Sequence, residues 1–195
     1  MIRQLSEGFT SFFPKMIIVG ILNTDRMRDL TPTQIKGTDD IRDSTIFKST
    51  GGGNKFMAFI EKELMPYVDS TYLTAPYRMF IGHSLGGLMV VDALLLHKNL
   101  FNSYVAIDPS LWYDNRKLLK QTAQLLGTEN LKKETLFLAI ANTMKPGMDT
   151  GRVRKDTSDY TSHIRSILDF VSSLKKDNKS GLKWNYKFYG EDDHG

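Results

Sequence analysis

The segment Gly82-His83-Ser84-Leu85-Gly86 contains the residue types that most directly suggest chemistry. Its G-x-S-x-G spacing is that of a serine nucleophile, a pattern that is weak when it stands alone. Here an apolar stretch ending at Ile81 precedes it, and an apolar helical pattern follows from Leu85. That is the strand–turn–helix context that lifts a serine hydroxyl above the edge of a sheet. We therefore predict that Ser84 is a nucleophile; the alternative is a glycine-rich turn that only packs a helix against a strand.

The tight turn predicted at Ser84 constrains its neighbours. Glycine tolerates backbone angles that other residues avoid, so we expect glycine to be required at Gly82, Gly86 and Gly87. The start of the following helix brings its positive dipole and free N–H groups next to a developing oxyanion. We predict the backbone N–H of Leu85 as one oxyanion donor. Chemistry of this kind needs no metal ion and no organic cofactor.

The general base must be one of four histidines. Enzymes with a nucleophile elbow order their triad along the chain as serine, then an acid, then histidine. His83 is adjacent to the nucleophile and would point away from it, and His97 and His163 lie in helical patterns where a surface or helix-end role is ordinary. His194 follows the last predicted strand, where catalytic groups gather in an open α/β sheet. We predict His194 as the base; the alternative is a plain terminal histidine.

The triad acid is less sharply defined by the sequence. Asp149 is the one carboxylate in the loop after the next-to-last predicted strand, and we predict it as the acid. Asp156 and Asp159 resemble residues that begin a helix, where capping explains an acid. Asp192 and Asp193 are too close along the chain to His194 to orient its ring easily. A Ser–His dyad without a carboxylate is the open alternative.

The elements that must position these residues alternate between strands and helices. Apolar runs predict strands, and apolar residues at helical spacing predict helices. The predicted strands are 15–22, 77–81, 103–107, 135–141 and 183–189, and the predicted helices are 54–65, 85–97, 115–126 and 156–174. The continuous apolar run 15–22 is typical of a strand buried on both faces, and the last helix places its apolar residues between 164 and 174 on one face. A long polar surface loop is predicted over 23–50. This alternation indicates an α/β fold with a mostly parallel sheet and helices on both faces.

Composition narrows the classes of partner. The 195 residues suit one domain, and 41% hydrophobic with 25% charged residues is ordinary for a globular protein. The net charge of +4 raises a nucleic-acid partner, but 26 basic residues are scattered among 22 acidic ones, so we predict none. The absence of cysteine excludes thiolate catalysis and disulfides. No apolar run approaches the roughly 20 residues of a membrane span. We expect a periplasmic or secreted protein if a signal peptide was removed, and a cytoplasmic one otherwise. The sequence does not indicate an oligomeric state.

Four segments resemble the esterase family of α/β-hydrolases that contains esterase D, the ferric-siderophore esterases and the feruloyl esterases. They are 18–32, 81–87, 107–114 and 189–195. The resemblance implies an α/β-hydrolase fold, Ser84 as nucleophile, His194 as base, and hydrolysis of a small-molecule, glycan or siderophore ester. It also implies that Trp112 and Arg28 border the substrate pocket, and we group His83 with them. Trp112 could instead be a core-edge aromatic, and Arg28 could only pair with an aspartate in its own loop.

The same resemblance predicts that residues 1–195 form a single domain that is incomplete at both ends. Family members usually have earlier strands, with a loop that supplies a second oxyanion donor, and they continue past the final His-Gly. We therefore expect that second donor to lie outside this sequence. Two alternatives to ester hydrolysis are an acyltransferase of the same fold and an esterase-like binding domain whose chemistry has lapsed.

Overall fold

The fold centres on a sheet of four parallel strands, in a computed structural model that describes residues 2–4, 16–35 and 47–195. The strands are β3 (Met79–His83), β4 (Ser103–Ile107), β5 (Thr135–Ala141) and β6 (Lys183–Tyr189), and they lie side by side in this order. Their register aligns Met79 with Ser103, Ser103 with Thr135, and Thr135 with Lys183. Since all four strands run in one direction, their carboxyl ends meet at one edge of the sheet, and the α/β prediction is confirmed.

Two shorter strands form a separate antiparallel pair. They are β1 (Ile2–Gln4) and β2 (Ile17–Val19), with Ile2 opposite Val19. The sequence predicted one strand over 15–22, buried on both faces, but Ile17 and Ile18 are 37% and 39% exposed. The prediction was wrong about burial because this apolar run pairs with β1 outside the four-stranded sheet.

The helices connect the strands. They are α1 (Arg26–Asp29), α2 (Gly53–Phe59), α3 (Met65–Thr71), α4 (Leu85–Leu96), α5 (Tyr113–Thr128), α6 (Thr150–Lys155) and α7 (Asp159–Asp177), and a π-helical turn at Ile60–Leu64 joins α2 to α3. A polar surface loop was predicted over 23–50, but its described part contains the short helix α1 and a fully buried Thr31. Among the described residues, none of these helices has both the length and the apolar character to cross a membrane.

The core lies between the sheet and α4, α5 and α7. Helix α4 is apolar on all sides, and its residues 87–95 are buried, as expected for a helix enclosed by the protein. Helix α7 turns one apolar face inward. The largest fully buried side chains are Tyr104, Phe170, Met57, Leu88, Met89, Leu94, Leu95, Leu111, Leu126, Leu131, Leu138 and Ile140.

Among the described residues, helices α4, α5 and α7 lie on one face of the four-stranded sheet. Because the strands follow in consecutive order, right-handed crossovers place α4, α5 and α7 on the same side. On that side Tyr104 and Ala106 are at most 1% exposed. On the other side Met79, Ile81 and Ile107 are 42%, 56% and 37% exposed. The alternation of the sequence predicted the elements correctly, but it carries no information about which face each crossover takes.

Candidate active site

Ser84 occupies the strained turn between β3 and α4. Its φ and ψ are 59° and −118°, values that L-residues rarely adopt. Its N–H donates to the carbonyl of Ile107 (3.0 Å), and its carbonyl accepts from the N–H of Ser110 (3.1 Å). The end of β4 therefore holds this turn, and its strand–turn–helix geometry is the one expected of a nucleophile elbow.

Close packing explains two of the three glycines around the turn. A Cβ on Gly82 would lie 2.3 Å from the carbonyl oxygen of Gly86, and a Cβ on Gly87 would lie 3.0 Å from the Cα of Pro109. A Cβ on Gly86 would meet nothing within 4 Å. The expectation that all three positions require glycine is therefore wrong for Gly86.

The structure brings Ser84 and His194 together. The Nε2 of His194 lies 3.0 Å from the Oγ of Ser84, within hydrogen-bond reach of a nucleophile and its base. His194 comes from the loop after β6, and Asn142 at the end of β5 holds that loop. The N–H of Asn142 donates to the carbonyl of Asp192 (2.7 Å), and its amide Nδ2 donates to the carbonyl of Gly190 (2.9 Å).

The carboxylate that contacts His194 belongs to Asp108, which corrects the prediction of Asp149. The Oδ2 of Asp108 lies 2.5 Å from the Nδ1 of His194. Asp149 is instead the N-cap of α6, where its Oδ1 accepts from the N–H of Arg152 (2.8 Å) and its side chain is 68% exposed. Capping explains Asp149, just as it was expected to explain other acids near helix starts.

The position of Asp108 gave a signal that the sequence reasoning did not use. Asp108 directly follows β4, the strand that pairs with the nucleophile strand β3. Polar side chains at the carboxyl ends of neighbouring parallel strands lie close together. The sequence analysis considered only acids in the loop after the following strand, β5, and beyond it, and therefore missed Asp108.

Asp108 is buried and held from several sides. Its side chain is 2% exposed, and its φ of 42° is in the left-handed region. Its Oδ1 accepts from the N–H of Ala141 (3.1 Å), and its own N–H donates to the carbonyl of Ala139 (2.8 Å). Burial raises the pKa of Asp108, but hydrogen bonds from His163, His194 and Ala141 outweigh that effect and leave the pKa below its ordinary value. The carboxylate is therefore charged at neutral pH.

His163 was expected to have an ordinary helix role, but it also contacts Asp108. Its Nε2 lies 2.7 Å from the same Oδ2 that His194 contacts. The three side chains are of types that bind Zn²⁺. Both ring nitrogens, however, point at the oxygen itself at hydrogen-bond distance, so the oxygen stands where a metal would have to be. We therefore assign these contacts as hydrogen bonds to a shared acceptor.

The oxyanion side of Ser84 is the start of α4. Leu85 is the first residue of this helix, and its N–H has no carbonyl partner within the helix. The helix dipole adds positive potential at this end. The side chain of Ser110, which is 2% exposed, also faces the nucleophile, with its Oγ 3.3 Å from the Oγ of Ser84.

The three predicted pocket residues lie in different settings. The ring of His83 packs against that of His194, with centroids 4.9 Å apart. Trp112 is 38% exposed and precedes α5, two residues after Ser110. Arg28 pairs with Asp29, Nε to Oδ1 at 2.7 Å, and borders an open cavity of about 670 Å³ that neither Ser84 nor His194 lines. Contact of these three residues with a substrate stays a prediction.

Comparison with known proteins places this site in a family. Residues 7–145 match the family model Esterase, described as "Putative esterase". The chain belongs to this esterase family. The match covers Ser84, Asp108 and Ser110, whereas His163 and His194 lie beyond it. This agrees with the family resemblance inferred from the motifs.

Relatives of this esterase chain include enzymes named for siderophore esters. It is 31% identical over 134 residues to the ferri-bacillibactin esterase BesA of Bacillus subtilis, covering 64% of this chain and 46% of that protein. It is 30% identical over 148 residues to the apo-salmochelin esterase of Escherichia coli, covering 72% and 44%. The structure of an IroE-like serine hydrolase from Shewanella oneidensis aligns with a TM-score of 0.79 and 38% identity, covering 93% of this chain and 55% of that one. This chain thus spans about half the length of these relatives.

Proposed function

We propose that this chain carries the catalytic centre of a serine esterase that hydrolyses carboxylic esters. The observation that carries the proposal is the continuous line of contacts from Ser84 through His194 to Asp108, at 3.0 Å and 2.5 Å. A buried, charged carboxylate on Nδ1 fixes the tautomer in which Nε2 accepts a proton. That is the arrangement required to activate a serine hydroxyl.

The reaction proceeds in two halves. His194 Nε2 takes the proton of Ser84, whose Oγ attacks the ester carbonyl, and the oxyanion accepts from the Leu85 N–H. Collapse of this intermediate expels the alcohol, which takes the proton from His194, and leaves an acyl group on Ser84. Water then attacks the acyl group while His194 takes its proton. The acid is released as the C–O bond to Ser84 breaks and the proton returns to the serine oxygen.

For the substrate class, we propose siderophore esters. The support is the identity to relatives named ferri-bacillibactin esterase and apo-salmochelin esterase. The neighbourhood of Ser84 is compatible with an aromatic substrate, because Trp112 presents a partly exposed ring two residues from Ser110. Acyl groups on plant polysaccharide and acetylated sugars are the competing ester classes.

A covalent probe and a substrate panel test this proposal separately. A fluorophosphonate should label the wild-type chain on Ser84, as read by mass spectrometry of the modified peptide. Ser84→Ala should not be labelled, whereas Ser110→Ala, a control that removes the neighbouring hydroxyl, should be. The panel compares short-chain nitrophenyl, feruloyl, acetyl-sugar and catecholate-lactone esters. Failure of a folded chain to form the Ser84 adduct would refute the esterase centre, and preference for another ester would refute only the substrate class.

A further inference from the structure

A second histidine contacts the acid of the proposed triad. His163 Nε2 and His194 Nδ1 lie 2.7 Å and 2.5 Å from one oxygen of Asp108, and the two rings meet edge to face with centroids 4.6 Å apart. Hydrolysis by the proposed mechanism requires His194 and Asp108, but no step of it requires His163. The role of this partly buried imidazole, which contacts the acid directly, is therefore open.

The two histidines differ in how firmly the fold holds them. His163 lies on α7, a helix of 19 residues, and its side chain is 18% exposed. His194 lies in the loop after β6, and its side chain is 41% exposed. A partner on a packed helix restricts the carboxylate more than a partner on a partly exposed loop does.

The carboxylate needs that restriction because each of its oxygens has a separate task. Oδ1 accepts the N–H of Ala141, and Oδ2 must stay where His194 Nδ1 can donate to it. A partial rotation about the Cβ–Cγ bond would move both oxygens away from their donors and weaken both contacts. His163 adds a donor to Oδ2 from the helix side. The same bond leaves Oδ2 without a lone pair directed at a third donor such as water.

We propose that His163 is a positioning residue that holds the Asp108 carboxylate in place for His194. This inference rests on the proposed function, because positioning matters for the reaction only if Ser84 and His194 perform it. The network of hydrogen bonds also fixes the tautomers: His163 carries a proton on Nε2 and His194 on Nδ1, which leaves His194 Nε2 free to accept from Ser84.

Three variants of the chain separate donation from bulk. His163→Leu keeps a side chain of similar width but removes the donor. His163→Gln places an amide N–H about where Nε2 lies, and it should rescue the contact. The control is His97→Gln, at the opposite end of α4 from Ser84, where His97 lies 3.4 Å from another buried carboxylate, that of Asp92. Steady-state hydrolysis of a nitrophenyl ester gives kcat and KM for each variant.

The expected result is a kcat effect that follows the donor. His163→Leu should lower kcat about 10- to 100-fold with KM within about twofold of wild type, and His163→Gln should return kcat to within about threefold. His97→Gln should stay within about twofold of wild type. A His163→Leu protein with wild-type kcat, or a His163→Gln protein as slow as His163→Leu, overturns the proposal. If His163→Leu does not fold, His163→Asn replaces it, since its amide ends short of Asp108.

A spectroscopic measurement decides the inference even for an inactive chain. The His194 proton on Nδ1, in a short bond to a carboxylate, should give a far-downfield proton resonance in wild type. His163→Leu should shift or broaden it, and His163→Gln should restore it. The positioning role is overturned if the wild type lacks this resonance, or if the resonance is the same in His163→Leu as in wild type. If the wild type neither hydrolyses esters nor is labelled on Ser84, the proposed function fails. The resonance then still tests whether His163 holds Asp108 against His194.

Discussion

Replacing Asp108 by asparagine tests the most consequential feature of the site, the charge behind His194. Three N–H donors converge on this carboxylate, from Ala141, His163 and His194. Asparagine offers one oxygen and one NH₂ group, so either the Ala141 N–H or the two histidines must face a donor. If the NH₂ faces the histidines, His194 Nδ1 becomes an acceptor and its proton moves to Nε2. That tautomer cannot accept the proton of Ser84.

The size of the effect follows from the lost charge. In the transition state His194 is an imidazolium about 4 Å from the carboxylate, and at an effective dielectric constant of about 20 the attraction is about 4 kcal/mol. That energy corresponds to about a thousandfold in rate, and the tautomer problem adds to it. We therefore expect Asp108→Asn to lower kcat about 10³- to 10⁴-fold, with KM changed little.

Steady-state hydrolysis of a nitrophenyl ester measures this effect, and the rate of fluorophosphonate labelling provides a second readout. The matched control is Asp149→Asn, which alters the exposed cap of α6 and should leave kcat within about twofold of wild type. Circular dichroism establishes that both variants are folded. A folded Asp108→Asn protein that retains more than a tenth of wild-type kcat would show that the carboxylate does not support His194. A large loss in Asp149→Asn would restore Asp149 as the candidate acid.

Three further predictions concern the scaffold of the site. Gly82→Ala should lower the free energy of unfolding by about 3 kcal/mol or more, because its Cβ would lie 2.3 Å from a carbonyl oxygen. Gly86→Ala, the control, should change the free energy of unfolding by about 1 kcal/mol at most. Equal urea midpoints for the two variants would contradict this difference. The folded pKa of Asp108 lies below 3.8, so its stabilising contribution is present above that pH and lost as pH falls through the folded value. The difference in unfolding free energy between wild type and Asp108→Asn should therefore narrow as pH is lowered below about 4, and a constant difference would refute the pKa direction. Asn142→Ala should lower kcat about fivefold by releasing the His194 loop, and an unchanged kcat would show that its 2.9 Å bond to a carbonyl is dispensable.

The local part of the site could be predicted from the sequence, because it depends on short-range chemistry. The turn at Ser84 is indicated by adjacent residues, and His194 is distinguished from the other histidines by its place in the loop after the last strand. The strands 103–107, 135–141 and 183–189 were predicted with the bounds that the structure has. Each of these inferences uses a pattern that spans fewer than about 20 residues, or the order in which such patterns follow.

The parts that failed depend on which strands become neighbours. Asp108 and His194 are 86 residues apart in sequence, and only the pairing of β4 with β5 and of β5 with β6 brings their loops to one sheet edge. The shared contact of His163 likewise needs α7 to pack against β5. Periodicity predicted the buried face of α7 correctly, but it could not indicate that His163, in the second turn of this helix, would reach the residue that follows β4.

The site draws on the carboxyl ends of all four strands of the parallel sheet. The proposed nucleophile follows β3, the proposed acid follows β4 and the proposed base follows β6, while Asn142, directly after β5, holds the loop of His194. The acid therefore approaches His194 from the strand next to the nucleophile, and from there its carboxylate also lies within reach of α7. Because α7 packs against β5, the strand next to β4, the same carboxylate can be held from the helix side by His163 and from the sheet side by Ala141. The orientation of the acid therefore depends on the helix layer as well as on the strand ends.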